Sequence, residues 1–331
     1  MGQTWLLVFS PLLEGFMNHP VKIAFFALLL GCLAMGFTYK KQSEILDAIG
    51  SIEGMSLTFQ RALEPGKAFE PLLEPKPGEW LAEHPEPGQT FDQFVRSDPA
   101  KPARQRNKIF LQPLGAFPTG RSPSVETLKA YASAFFAMDV EVLSPLMTDA
   151  AGIREHRNPY TGNRQILTTD ILTMLKKRLA QNAFCALAIT MEDLYPDPSW
   201  NFVFGQASYQ DRVGVFSFAR YNPAFYGEKP VMNDQEILLR RSCKVLAHEA
   251  GHMFQMNHCV FFKCLMNGSN HLQESDARPL ALCPVCLRKL QFTIGFDVVD
   301  RYRGLLAFYD RVGFAQEASW VSDRLKTNLG P

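Results

Sequence analysis

The segment AHEAGHMFQMNHC, residues 247–259, constrains this chain more than any other. On an α-helix, His248 and His252 stand one turn apart, about 6 Å along the axis and about 40° around it. Two imidazoles so placed reach one metal ion, and Glu249 projects beside them within reach of a water on that metal. Zinc lowers the pKa of such a water to about 7 and polarises a carbonyl. The carboxylate takes the water's proton and hands it to a leaving amine. His258 comes six residues after His252 and matches the extended pattern HExxHxxGxxH, where a sharp turn after the helix brings round a third ligand. Glu274, 22 residues after His252, is a competing third ligand. The bland alternative is two satisfied surface histidines. The opposite stripe, Leu239, Cys243, Leu246, Ala250 and Met253, has helical spacing and would bury the helix against a sheet.

Cysteines sharpen the reading. There are seven, an odd number, and four of them (Cys259, Cys264, Cys283, Cys286) fall within 28 residues. A disulfide framework is usually even and spread along a small chain. Two pairs this close, the second CPVC, have the spacing of a closed structural zinc site. Disulfides or unbonded thiols are the alternatives. A metal on these cysteines would contribute on the order of 10 kcal/mol to ordering a loop-rich segment. Since Cys259 directly follows His258, it would also hold the third histidine. Cys185 and Cys243 fall in apolar runs and read as inert core thiols.

The remaining chain suggests an α/β domain with a mixed sheet and a helix behind it. Strands are expected at 109–115, 140–143 and 184–190, and an antiparallel hairpin from FVFGQAS and VGVFSFAR. Helices are expected at 44–63, 125–139, from a Thr168 or Thr169 cap to about Ala180, from about Gln235 with Asn233 and Glu236 as a capping pair, and at 297–313. Residues 65–102 hold eight prolines and read as an extended arm, anchored by Trp80, Leu81, Phe91 and Phe94. The division expected is an N-terminal segment 1–43, a Pro-rich arm 44–107, a catalytic domain 108–313 and a C-terminal tail 314–331. A net charge of +1 and the absence of a basic, aromatic-interleaved run argue against a nucleic-acid partner. Residues 23–39 are uncharged and flanked by Lys22, Lys40 and Lys41. They read as a signal anchor, a cleaved signal peptide or a segment packed on the domain. Of the other polar residues, His84 and His271 read as surface or loop histidines, His156 as part of a solvated loop, and Arg240 and Arg241 as charged-face residues.

The pattern HExxHxxxxxHC-x4-C-x-M followed by CxxC resembles the archaemetzincins, a family of zinc metallopeptidases. The likeness covers roughly residues 80–305. It is carried also by CLMNGSNHLQESDARPLALCPVCLRKLQ (264–291), SWNFVFGQAS (199–208), VGVFSFARY (213–221), WLAEHPEP (80–87) and FDQF (91–94). The resemblance implies a metzincin-like zincin fold with two zinc ions per chain, one catalytic and one structural. His248, His252 and His258 take the catalytic ligand positions, and Glu249 that of the base. Cys259, Cys264, Cys283 and Cys286 take the structural ion, and Met266 the methionine of the Met-turn. It further implies a peptide or protein substrate, a monomer, an intracellular setting, and VGVFSFAR as the edge strand that pairs with a substrate. The chain departs from the pattern at Gln255, which stands where the motif has glycine. A left-handed glutamine costs about 1–2 kcal/mol. The alternative to an enzyme is therefore a zinc-stabilised scaffold whose catalysis that glutamine has impaired. The apolar N-terminal stretch is not a family feature.

Overall fold

Ala183–Thr190 (β5) is buried along its whole length and forms the middle of a five-stranded sheet. The structure, a computed structural model, describes residues 43–149, 151–227, 229 and 233–328. The chain divides into two compact units, Met1–Asp47 and Ala48–Pro331. All elements named below lie in the second. A strand buried on both faces requires a layer on each side of its sheet. In parallel with β5 run β1 (Lys108–Leu114) on one flank and β8 (Val213–Ser217) on the other. Outside them, β2 (Asp139–Val142) is parallel to β1 and β7 (Gly205–Ser208) antiparallel to β8, giving the order β2-β1-β5-β8-β7. A second sheet, β3-β4-β6, consists of Glu155–Arg157, Arg164–Leu167 and Asp193–Tyr195.

The α/β class, the mixed sheet and the hairpin agree with the sequence reading; the edge does not. VGVFSFAR supplies β8, which is flanked by β5 and β7, and the edge strand is β7. The burial of the two arms follows their composition: Val213–Ser217 is a largely apolar run buried throughout, as a strand with partners on both sides requires, whereas Gly205–Ser208 is small and polar and half-buried throughout.

Three short helices precede the sheet: α1 (Leu57–Leu63), α2 (Trp80–Glu83) and α3 (Phe91–Arg96). The helix expected over 44–63 is interrupted at Gly50 and Gly54, both at positive φ. The prolines of the arm leave room for α3, which a capping box of Thr90 and Gln93 starts. Phe91 and Phe94 are buried, and α3 packs on α8 (Pro284–Ile294).

On one face of the main sheet, Ile171 and Leu175 of α5 (Thr168–Arg178) meet Phe110, Ala186, Ala188, Val213 and Val215. The N-cap of α5 is Leu167 and makes no side-chain cap. Thr168 instead donates its hydroxyl to Gln206 Oε1, tying the helix start to β7. The long helix α6 (Asp234–Met253) packs against β7 and β8, and α4 (Val125–Phe136) against α6 and β2. On α6 Cys243, Leu246, Ala250 and Met253 of the expected stripe are buried, but Leu239 is half-buried and Leu238 takes the core position in that turn. Asn233 caps no amide, and Glu236 pairs with Arg240 at 2.9 Å. Arg240 and Arg241 are not free charges on a solvated face: Arg240 also meets Glu317, and Arg241 clamps Asp276 with two bonds of 2.9 and 2.6 Å. Next along the chain come α7 (Leu272–Ala277), α9 (Val298–Val312) and α10 (Ala315–Asp323), so the stretch set apart as a tail is helical over most of its length. His156 lies on β3 rather than in a loop, stacked on Tyr195 at 3.8 Å and bonded to Gln165. Among the described residues no helix is long and apolar enough to cross a membrane, and residues 23–39 lie outside them.

Candidate active site

Helix α6 delivers His248, Glu249 and His252 to the floor of a cleft of about 760 Å³. After Met253 the chain turns at Gln255, which takes φ +60°, the left-handed value a glycine adopts freely. The turn brings His258 back beside the helix, so that metal-binding atoms of the three histidines all lie within 4.8 Å of one another. Each ring is oriented through Nδ1. His248 Nδ1 donates to the Leu265 carbonyl (3.0 Å), His252 Nδ1 to the Met256 carbonyl (2.7 Å) and His258 Nδ1 to Glu86 Oε1 (2.8 Å). An Nδ1 that faces an oxygen carries the proton, so Nε2 keeps its lone pair. Two of those lone pairs, on His248 and His252, stand 3.2 Å apart. Burial, with the other imidazoles adding to it, holds His248 well below the ordinary imidazole range and His252 at about 4. Neutral rings with converging lone pairs fit a divalent cation. The 3.2 Å separation is close to the roughly 3.3 Å expected between two nitrogens of a tetrahedral zinc site.

Glu249 lies on the same turn as His248. Burial pushes its carboxyl up to about 7, against the pull of Arg278. Room for it is made by Gly205 at the start of β7. A Cβ there would stand 3.1 Å from the Glu249 carboxyl carbon and 3.0 Å from the Val215 carbonyl. A glycine inside a strand pattern is a sign of such close approach, a signal present in the sequence that the motif-centred reading passed over. Beside Glu249, Arg278 is held by Ser275 Oγ (2.6 Å) and the Asn267 carbonyl. Aromatic rings of Trp80, Trp200, Phe202, Phe204, Tyr209 and Tyr221 line much of the cleft. The loop bearing Phe202 is pinned by a buried bidentate pair, Arg220–Asp193, both bonds 2.8 Å, with the guanidinium 3.5 Å from the Phe202 ring.

The four cysteines converge separately. All are buried, their sulfurs lie within 4.8 Å of one another, and Cys259 Sγ is 3.5 Å from Cys283 Sγ. A disulfide would require about 2.0 Å, and the six cysteines among the described residues are free. The separation is close to the roughly 3.8 Å between two sulfurs of a tetrahedral zinc site. Cys283 is the N-cap residue of α8, without a side-chain capping bond, and Cys286 sits in its first turn. Burial most in Cys283, and the neighbouring sulfurs most in Cys286, push each thiol well above its ordinary value. Asn267 ties this cluster to the histidines. Its amide donates to the Cys259 (2.6 Å) and Phe262 (2.9 Å) carbonyls, and its Oδ1 accepts from the Cys264 amide (2.7 Å). Met266, one residue before, is fully buried, and its carbonyl accepts from the Cys259 amide (2.8 Å). Its sulfur lies against α6, 2.6 Å from where a Cβ on Gly251 would fall.

Glu274 is not in the histidine cluster. Its carboxylate accepts from the amides of Trp80 (2.9 and 3.1 Å) and Asn270 (2.8 Å). His271 caps α7, and His84 packs on the Trp80 ring at 4.3 Å. Cys185 and Cys243 are core thiols, the first pushed up by burial to about 12 and the second well above its ordinary value. Two site residues could not be found from sequence. Glu86 accepts from His258 and, at 2.6 Å, from Trp80 Nε1. Burial favours its neutral form, but these bonds outweigh it and hold the carboxylate below the usual range. Gln89 Oε1 accepts from the Asn257 amide at 3.3 Å and from the buried Lys289 at 3.1 Å. Both residues lie in the Pro-rich arm, 172 and 168 positions from His258 and Asn257, and although Glu86 falls in the WLAEHPEP stretch, no local pattern names the partner of either.

Residues 167–292 match the model of Peptidase family M54. Archaemetzincin-2 of Macaca fascicularis is 43% identical over 297 aligned positions, covering 81% of each chain. The chain belongs to the archaemetzincin family. It is thus a zinc-dependent metallopeptidase. Human archaemetzincin-2 is 42% identical with the same coverage. The crystal structure of archaemetzincin from Methanopyrus kandleri is 29% identical, covers 58% of this chain and 97% of its own, and superposes with a TM-score of 0.44.

Proposed function

We propose that this archaemetzincin hydrolyses peptide bonds with Glu249 as general base, at a zinc ion held by His248, His252 and His258. The observation that carries the reading is the convergence of three Nδ1-anchored imidazoles beside the buried Glu249 carboxyl. A zinc ion so held supplies an acidified water and a polarised scissile carbonyl. Glu249, on the same helical turn as His248, is placed to take a proton from the attacking water and return it to the leaving amine. The outer edge of β7 offers backbone groups beside the cleft, where an extended peptide can add as a further strand. The aromatic walls exclude water and favour bulky apolar side chains. Cys259, Cys264, Cys283 and Cys286 hold a second, structural zinc that leaves no open position for a substrate. Met266 supports the floor from beneath, in the Met-turn position. The catalytic domain is 108–313, and the preceding arm completes its site.

Digestion of a peptide library, read by mass spectrometry, tests the assignment. Wild type should cut and Glu249→Ala should not, while both retain zinc. Equal turnover removes Glu249 as the base. A wild type that binds zinc and cuts nothing favours the scaffold alternative.

A further inference from the structure

His258 is the member of the histidine set that its own neighbourhood fixes least. His248 and His252 ride on a 20-residue helix, whereas His258 follows a turn whose left-handed residue is a glutamine. We propose that Glu86 is a positioning residue for His258, and that Trp80–Gln89 is the clamp through which it acts. The inference rests on the assignment of the three histidines to one zinc.

An imidazole reaches a metal through Nε2 only in the right tautomer and ring orientation, and a partner on Nδ1 sets both. Here the partner is the Glu86 carboxylate, 2.8 Å from Nδ1. Turning the ring away would forfeit a hydrogen bond to a charged acceptor, a stronger bond than one between neutral groups. Glu86 is itself held, because Oε1 also accepts from Trp80 Nε1. Trp80 is held in turn by Glu274 at its amide and by an edge contact with the His258 ring, centroids 5.2 Å apart. It sits over Gly268, where a Cβ would fall 2.3 Å from the indole. The far end of the segment grips the other side of the turn. Gln89 bonds Asn257, and Gly88, at φ +73°, lets the backbone pass Val260 where a Cβ would come within 2.3 Å. The arm therefore braces both flanks of the turn that Gln255 forms. The sulfur cluster does the same from Cys259 onward, but it reaches only the backbone of His258, whereas Glu86 reaches the ring.

The test is a zinc competition titration against a chromophoric chelator, on the full chain. Wild type is compared with Glu86→Ala, Glu86→Gln and Glu86→Asp. A His248→Ala/His252→Ala double variant identifies the histidine-dependent zinc. Glu86→Ala should weaken that zinc 10–100-fold and leave the other unchanged. Glu86→Gln keeps size and a neutral acceptor, so its loss should be smaller; it also preserves the test should the alanine variant misfold. Glu86→Asp should recover part of the affinity. In the cobalt-substituted protein the visible bands should shift in Glu86→Ala, and kcat should fall more than KM rises. Wild-type affinity and spectrum in both Glu86→Ala and Glu86→Gln would overturn the role of Glu86 while leaving the histidine site standing. Wild-type zinc content in the double histidine variant would instead remove the site itself.

Discussion

The histidine cluster and the cysteine cluster adjoin in sequence at His258–Cys259, yet they are built in opposite ways. The cysteines come from one stretch of 28 residues, their sulfurs are buried, and the protein closes around them. The histidines line an open cleft, and two of their rings are only partly buried. Their orienting groups come from the loop before Met266 (Leu265), the helix exit (Met256) and the arm (Glu86). A closed set of one ligand type can be specified locally and serves stability. An open set must be aimed from several directions, because the position left for substrate cannot help to hold it. Asn267 and Met266 join the two, so order in the first is a condition for aim in the second.

That contrast can be broken. Cys283→Ser with Cys286→Ser should have the largest effect, on the order of 10 kcal/mol of apparent metal-linked folding energy. The outcome expected is loss of both metals and disorder from about residue 255 to 291, read by zinc analysis and amide hydrogen exchange. If the histidine-dependent zinc survives, the two centres are independent. Glu249→Gln should separate chemistry from structure in the other direction. Turnover should drop about 10²–10⁴-fold with zinc content and Tm unchanged; a Tm shift would give Glu249 a structural part. Gly205→Ala probes the aim of the base. The added methyl meets the Val215 carbonyl and the Glu249 carboxyl at 3.0 and 3.1 Å. Phe216 Cβ, also at 3.0 Å, crowds it from the neighbouring strand, so the carboxylate should shift and kcat should fall tenfold or more, with a stability cost of about 1–3 kcal/mol. An unchanged kcat would show that the carboxylate tolerates displacement. Smallest is Gln255→Gly. It relieves a left-handed glutamine worth about 1–2 kcal/mol but loosens the unfolded chain by about 0.4–1 kcal/mol. The net gain in stability should lie between about 0 and 1.6 kcal/mol, and histidine-site zinc affinity should rise no more than severalfold. A large rise would mean that the Gln89 brace does not compensate the strain.

The His248–Glu249–His252 spacing, the cysteine pairs and the hydrophobic stripe of α6 were legible because each is a periodic or local pattern. Periodicity of 3.6 puts two imidazoles on one face whatever the rest of the chain does. Short separations between cysteines likewise leave few ways to arrange four sulfurs. The parallel core strand was legible for the same reason, as an uninterrupted apolar run. Even the anomaly at Gln255 could be read, because only the backbone angle demanded there makes glycine the usual residue, and the chain takes that angle regardless.

The tertiary structure decided which hairpin arm is the sheet edge, since pairing with β5 puts Val213–Ser217 inside the sheet and leaves Gly205–Ser208 paired on one side only. It withdrew Glu274 from the metal and gave it to the arm, because a carboxylate's partners depend on approach in space, not on distance from a motif. It also brought Glu86 and Gln89 across 172 and 168 positions to the turn around His258. A proline-rich segment carries no periodic signal of where it will dock. Its side chains acquire roles only when Gly88 and Gly268 let the two backbones come close enough.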